Sequence, residues 1–307
     1  MASTAIEWTD ETWNPVRGCS IVSKGCTNCY AMKQAHRFSG AGGKYEGLSK
    51  LTAGGPVWTG DVACVPEQLG VPLRWRKPRR VFVNSMGDLF HADVPFEFIC
   101  KVIATCIQAK QHTFQILTKR PGRMLEWSRR HWRERTSWPA SNVWLGVSVE
   151  DQATADERIP LLLETPAAVR FVSYEPAIGR VDFCETFGMW WNQTMGCFEG
   201  TGQQVNRRGR EGKTKPGIDW VIVGGESGPG ARPFDVAWAR STIEQCKAAG
   251  VPVFVKQLGA KPHEDGCEAG HVWRGGHWPQ SLHKLVDRKG GDITEWPKDL
   301  QVREFPR

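Results

Sequence analysis

No run of eighteen apolar residues occurs anywhere in the sequence, which leaves no segment suited to a hydrophobic transmembrane helix. The opening MASTAIEWTDETW carries acids and lacks a basic stretch followed by an apolar core, so it does not read as an export signal. The expectation is a cytoplasmic protein with no membrane partner. In that reducing compartment the ten cysteines do not imply a disulfide framework. Internal repeats and low-complexity segments are also missing. One further absence is more informative. Cys19, Cys26 and Cys29 fall within the stretch WNPVRGCSIVSKGCTNCY (13–30), and no fourth cysteine stands nearby.

Three thiols at C-x6-C-x2-C can hold zinc, hold an iron–sulfur cluster or be incidental. Structural zinc takes four protein ligands, and the next candidates, His36 and Cys64, offer no convincing partner spacing. A [4Fe–4S] cluster on three cysteines leaves one iron open to a substrate or cofactor. Gly18 and Gly25 suit a loop that wraps closely around a bulky group. The spacing favours a cluster over zinc, and both over incidental cysteines. The other seven cysteines are scattered and read as packing or loop residues.

Length and composition are those of a soluble globular protein: 307 residues, 40% hydrophobic and 24% charged. Continuous apolar runs at 80–85, 113–119, 143–149, 169–175, 219–225 and 251–257 predict strands buried on both faces of a parallel sheet. Helical patterns lie between them at 95–110, 121–135, 151–164 and 235–249, the last closed by Gly250 and Pro252. The spacing is that of βαβ units. The fold class expected is α/β, a partial (β/α)6-type or full TIM-like parallel barrel over 1–258. An inserted hairpin or lid is expected at 184–217, and a C-terminal capping extension over 259–307.

In a barrel, chemistry sits where strands end, and these ends are polar in succession: Asn84, Ser85 and Asp88; Thr118, Lys119 and Arg120; Ser148 and Glu150; Ser173 and Glu175; Gly224, Gly225, Glu226 and Ser227; Lys256 and Gln257. Together they read as a lined mouth, although any one of them could be a helix cap.

The segment NPVRGC…GCTNCYA resembles the cluster-binding start of radical S-adenosylmethionine enzymes, in particular relatives of spore photoproduct lyase. The blocks EWTDETWNPVRGC, FVNSMGDLFHADVP, ILTKRP, WLGVSVE, VIVGGESGPGARP and DRKGGD are similar to a family of unknown function encoded largely by phages and prophages. The resemblance implies that Cys19, Cys26 and Cys29 ligate three irons of a [4Fe–4S] cluster and that S-adenosylmethionine chelates the fourth. It implies radical chemistry on a substrate, with an electron donor of the flavodoxin or ferredoxin kind. By analogy, Ser85 and Asp88 face the amino group of the cofactor, Ser148 and Glu150 face its ribose, and the Gly224–Ser227 turn approaches it by its backbone. Two departures stand out. The commonest spacing is C-x3-C-x2-C, and the usual aromatic before the last cysteine is Asn28 here. Tyr30 either replaces that aromatic or packs in the core.

Net charge is +7, and the excess is clustered. RWRKPRR (74–80) has five basic residues in seven; seven Lys or Arg lie between Lys119 and Arg135, interleaved with Trp127 and Trp132; RRGREGKTK (207–215) adds a third run. Basic patches with interposed aromatics suit phosphate neutralisation and base stacking, so a nucleic-acid substrate is expected, in its sharper form a modified or damaged base of phage DNA flipped from its stack. The bland alternative is a solvated basic face. Cys184 with Cys197 matches no trusted ligand spacing; Cys267 with His271, His277 and His283 is either a second metal site of Cys-His type or, its gaps being irregular, a set of loop residues; and Cys64 is a bare guess at a hydrogen donor. DRKGGD (287–292) reads as a hairpin turn. Two other functional readings stand beside the radical enzyme: a zinc- or cluster-stabilised nucleic-acid-binding protein without catalysis, and a barrel hydrolase using Glu175 and Glu226 as its carboxylate pair.

Overall fold

The computed structural model describes residues 4–131, 138–187, 189–192, 197–200, 217–264 and 285–306. Trp132, the basic run 207–215, and Cys267, His271, His277 and His283 lie outside the described residues. Seven strands form one sheet: β1 (Glu11–Trp13), β2 (Arg80–Val83), β3 (Thr113–Thr118), β4 (Val143–Val149), β5 (Val169–Tyr174), β6 (Trp220–Gly224) and β7 (Val253–Gln257), in the order β1-β2-β3-β4-β5-β6-β7. The β1–β2, β2–β3, β3–β4 and β6–β7 ladders are parallel. A doubly wound sheet reverses its strand order part-way; here every strand neighbours its successor in sequence. The helices of two turns or more are α1 (Tyr30–Arg37), α2 (Phe96–Gln108), α3 (Pro121–His131), α4 (Gln152–Glu164) and α5 (Val236–Ala249).

Each apolar run of the sequence became a strand because both of its faces are covered. Every residue of β6 is buried, as is nearly every residue of β4. Strand β1 is the addition. Its three residues carry too little pattern to register as a strand, and it is placed by the β2 ladder and by the ion pairs Glu11–Arg79 (2.6 Å) and Asp10–Arg80 (3.0 Å). Helix α2 buries Phe98, Ile99, Val102, Ile103 and Cys106, the stripe of an amphipathic helix. Helix α5 starts at Asp235, whose carboxylate accepts from the Ala237 amide (2.9 Å), and ends on Gly250 in the left-handed region. Residues 189–192 and 197–200 pair as an antiparallel hairpin within the inserted region.

Contacts divide the chain into two compact units, residues 1–148 with 157–171, and residues 149–156 with 172–307. The first holds β1, β2, β3 and α1 to α3. Its aromatic core includes Trp13 against Phe114, and Trp8 against Phe82 and Phe171. The second holds β6, β7 and α5. Its C-terminal residues run antiparallel along β7: Val255 donates to Val302 O (2.8 Å), Glu304 donates to Val253 O (2.9 Å), and Phe305 packs on Trp220 and Phe254. That tail pairs backbone groups an edge strand would otherwise offer to another chain. The DRKGGD turn is organised by Asp287, which accepts from the amides of Lys289, Gly291 and Asp292, while Gly290 accepts from the Leu258 amide.

Side-chain packing in the first unit is close at Gly146 of β4, where an added Cβ would stand 2.6 Å from the Phe171 ring. Gly146→Ala therefore overpacks a buried aromatic. It should lower stability by about 1–3 kcal/mol, seen in urea titration as a lower midpoint with unchanged slope.

Candidate functional site

Strand β2 is followed by Asn84, Ser85 and Met86, and the segment before the cysteines is laid against that end. Asn14 Oδ1 accepts from the Met86 amide (2.9 Å) and from Ser85 Oγ (3.2 Å). Asn84 Oδ1 faces the Val16 amide (3.4 Å), and Gly18 N–H donates to Met86 O (3.2 Å). Gly18 has φ +86°, and a Cβ on it would meet Asp61 O at 2.3 Å, so the backbone here requires glycine. Beyond it Cys19, Cys26 and Cys29 are each half-buried. Cys19 and Cys29 pack on a small core of Ala31, Met32, Ala35, Tyr45, Leu48, Trp58 and Met86. Cys26 ends a 3-10 turn beside Ser23, and Cys29 immediately precedes α1.

The three thiols share one electrostatic neighbourhood. Burial pushes the Cys19 thiol up to about 12, with the Asp88 carboxylate and Cys29 adding to the rise and Arg120 opposing it. Burial also raises Cys29, and Cys26 adds to the rise. The amides of Ala31 and Met32 and the Lys119 ammonium oppose it; these amides face the sulfur without meeting the geometry of a cap hydrogen bond. Cys64 is raised by burial alone, which sets it apart from the other three. Among the described residues no group of three or more His, Cys, Asp or Glu side chains is drawn together as a metal-holding cluster. The donor chemistry nevertheless suits a soft metal: three thiols on one short loop, two of them on a shared core, beside cations that would offset thiolate charge.

Asp88 and Arg120 organise this corner. Asp88, 5% exposed, accepts from the Phe90 amide (2.9 Å) and Thr118 Oγ1 (2.7 Å) on one oxygen, and from the Lys119 amide (3.2 Å) and Arg120 Nη1 (2.8 Å) on the other. These four donors fill the lone-pair sites of a carboxylate, so Asp88 supports Arg120 instead of facing a cofactor amine. Arg120 reaches Ser20 O (3.1 Å), Ser20 Oγ (2.8 Å) and Cys19 Sγ (3.7 Å). Buried His91 stands 2.8 Å from Ser20 Oγ. Tyr30 is not a core residue: it is 54% exposed, and its hydroxyl donates to Ser85 O (2.9 Å). Arg120 was among the polar strand ends singled out from the sequence, whereas Asn14, Ser20 and His91 were not. The signal for Asn14 and His91 was present in the blocks NPVRGC and FVNSMGDLFHADVP.

The remaining polar strand ends are engaged locally. Ser148 is buried, and its carbonyl accepts from Arg158 (2.6 Å). In the second unit Glu150 is buried, its amide donating to Thr154 Oγ1 (2.9 Å) and its carbonyl accepting from Ile178 N. Glu175 pairs with Lys256. Glu226 holds Arg232 through both carboxylate oxygens (2.7 and 3.1 Å). The carbonyls of Gly224 and Gly225 accept from Ala177 N and Gln257 Nε2. A hydrolytic carboxylate pair needs one member free to hold a proton, and here each glutamate sits on its own cation.

The basic, aromatic-bearing runs also look different in three dimensions. Residues 74–80 precede β2, at the opposite strand end from the cysteine loop, and Arg79 and Arg80 are paired with Glu11 and Asp10. Trp75 and Trp127 are buried, Trp127 against Phe90 and Trp138. They are core residues and present no face for a base.

The model of a family described as "Protein of unknown function (DUF5131)" matches residues 3–285. The chain belongs to that family. No curated protein and no solved structure matches it. In the described residues no helix is long and apolar enough to cross a membrane.

Gly18→Ala places a side chain at positive φ and against the Asp61 carbonyl. About 1–2 kcal/mol of backbone strain and a further ~1–3 kcal/mol of overpacking should lower the denaturation midpoint measurably. The loss should be accompanied by faster alkylation of Cys19 as the cysteine loop lifts from the end of β2.

Proposed function

We propose that this protein is a radical S-adenosylmethionine enzyme on a partial (β/α) barrel, related to the phage-encoded family and distantly to spore photoproduct lyase. The observation that carries the reading is the placement of the three thiols: Cys19 and Cys29 pack on one small core, with Cys26 closing the short turn between them. A [4Fe–4S] cluster on three thiolates, with S-adenosylmethionine at its open iron, supplies a 5′-deoxyadenosyl radical when reduced by one electron. The residues of the chain have narrower tasks. Cys19, Cys26 and Cys29 hold the metal. Arg120 fixes Ser20 and lies against the Cys19 sulfur, so the loop is anchored at its first ligand. Tyr30, next to the last ligand, has its ring exposed and its hydroxyl held by Ser85 O, which suits it to stack on a planar base. Lys119 and Arg120 supply positive charge beside the thiols.

A nucleic-acid substrate is left out of this proposal, because Trp75 and Trp127, which stand within the basic runs, are buried. The second unit is assigned no acid–base role, because Glu175 and Glu226 are each ion-paired.

The test is anaerobic. The protein is reconstituted with iron and sulfide, reduced with dithionite, given S-adenosylmethionine and assayed for 5′-deoxyadenosine by mass spectrometry. Wild type should form it, and Cys26→Ala should lose at least about three orders of magnitude, in line with removal of a group essential to the chemistry. A loaded and reduced wild type that forms none refutes the reading and leaves the cysteines a structural role.

A further inference from the structure

Two opposite charges flank Cys19. Arg120 Nη1 lies 3.7 Å from its sulfur and 2.8 Å from Asp88 Oδ2. Both side chains are withdrawn from water, Arg120 13% and Asp88 7% exposed, so their fields are weakly screened. The guanidinium is held in place: besides Asp88 it donates to Ser20 O and Ser20 Oγ, and the Ser20 hydroxyl is in turn 2.8 Å from His91 Nε2. The approach to the sulfur calls for a separate explanation.

We propose that the Asp88–Arg120 pair sets the reduction potential of the cluster held by Cys19, Cys26 and Cys29, with Arg120 raising it and Asp88 lowering it. The proposal rests on the cluster reading above. On reduction one electron, drawn from an external one-electron reductant, adds negative charge that spreads over the sulfurs. A cation donating N–H to one of those sulfurs stabilises the reduced form, and net charge and hydrogen bonds to sulfur are the protein's levers on such potentials. No proton accompanies the electron at this pair, since an arginine stays protonated in proteins. Asp88 and Arg120 are both tuning and positioning residues; neither touches substrate.

The experiment uses the full chain, reconstituted with iron and sulfide. Iron and sulfide analysis comes first, then a dithionite titration followed by the paramagnetic resonance of the reduced cluster. Arg120→Gln should shift the midpoint downward by at least a tenfold change in the reduction equilibrium, about 59 mV for one electron. Asp88→Asn should shift it upward, and Arg120→Lys, which keeps the charge, should fall between Arg120→Gln and wild type. A pair that merely held the loop would not give shifts of opposite sign. Unchanged potentials, or shifts of one sign, overturn the proposal. If Arg120→Gln does not load, the sign given by Asp88→Asn decides. If neither variant loads while wild type does, the pair is a folding device and the proposal fails. Wild type that binds no iron and sulfide overturns the cluster reading itself, a separate outcome read in the first measurement.

Discussion

A carboxylate buried as deeply as Asp88 is tolerable only when its charge is answered. Asp88 meets that condition with donors from both sides: Phe90 just downstream of β2, and Thr118, Lys119 and Arg120 at the end of β3. The carboxylate thus fastens the ends of two neighbouring strands. Through Arg120 the same charge extends to Ser20 and Cys19. If Asp88 lost its charge, the guanidinium would lose its counter-ion and the cysteine loop the group that braces it. Gly18 and Asn14 fix the loop's entry, α1 fixes its exit, and Asp88 governs what happens between them.

The same device recurs in the second unit. Glu226 follows β6 and holds Arg232; Glu175 follows β5 and pairs with Lys256 at the end of β7. Polar residues at these strand ends are therefore largely answered by one another and by nearby backbone. A row of polar ends in the sequence suggests a lined mouth, but each buried charge demands a partner first, and for Asp88 and Glu175 those partners, Arg120 and Lys256, come from the same row. What distinguishes the cysteine corner is that its cations stand beside thiols, which bind metals, as well as beside a carboxylate.

The strands and helices were legible because burial on both sides leaves continuous apolar runs, and because α5 carries its own start and stop in Asp235 and Gly250. Strand β1 was not, since three residues cannot display a period. The bunched cysteines were legible from spacing, whereas Arg120 lies a hundred residues from Ser20 and His91 seventy-one. Only the fold brings them together. Trp127 was misread for a different reason. Basic residues surround it in sequence, yet in α3 it belongs to the stripe Pro121, Met124, Leu125, Ser128, which faces inward. The helical period, applied strictly, separates that stripe from Arg129 and Arg130.

Chain direction bears on the charge of the whole molecule in the same way. In a parallel sheet the residues just before a strand and those just after it are at opposite ends. The run 74–80 leads into β2 and the cysteine loop is bound to the residues that leave it. Five basic residues close in sequence to a functional segment are therefore held away from it by the length of a strand. Two of them are spent on fixing β1. A net charge of +7 consequently says less about a substrate than the placement of two cations, Lys119 and Arg120, that lie where the thiols are.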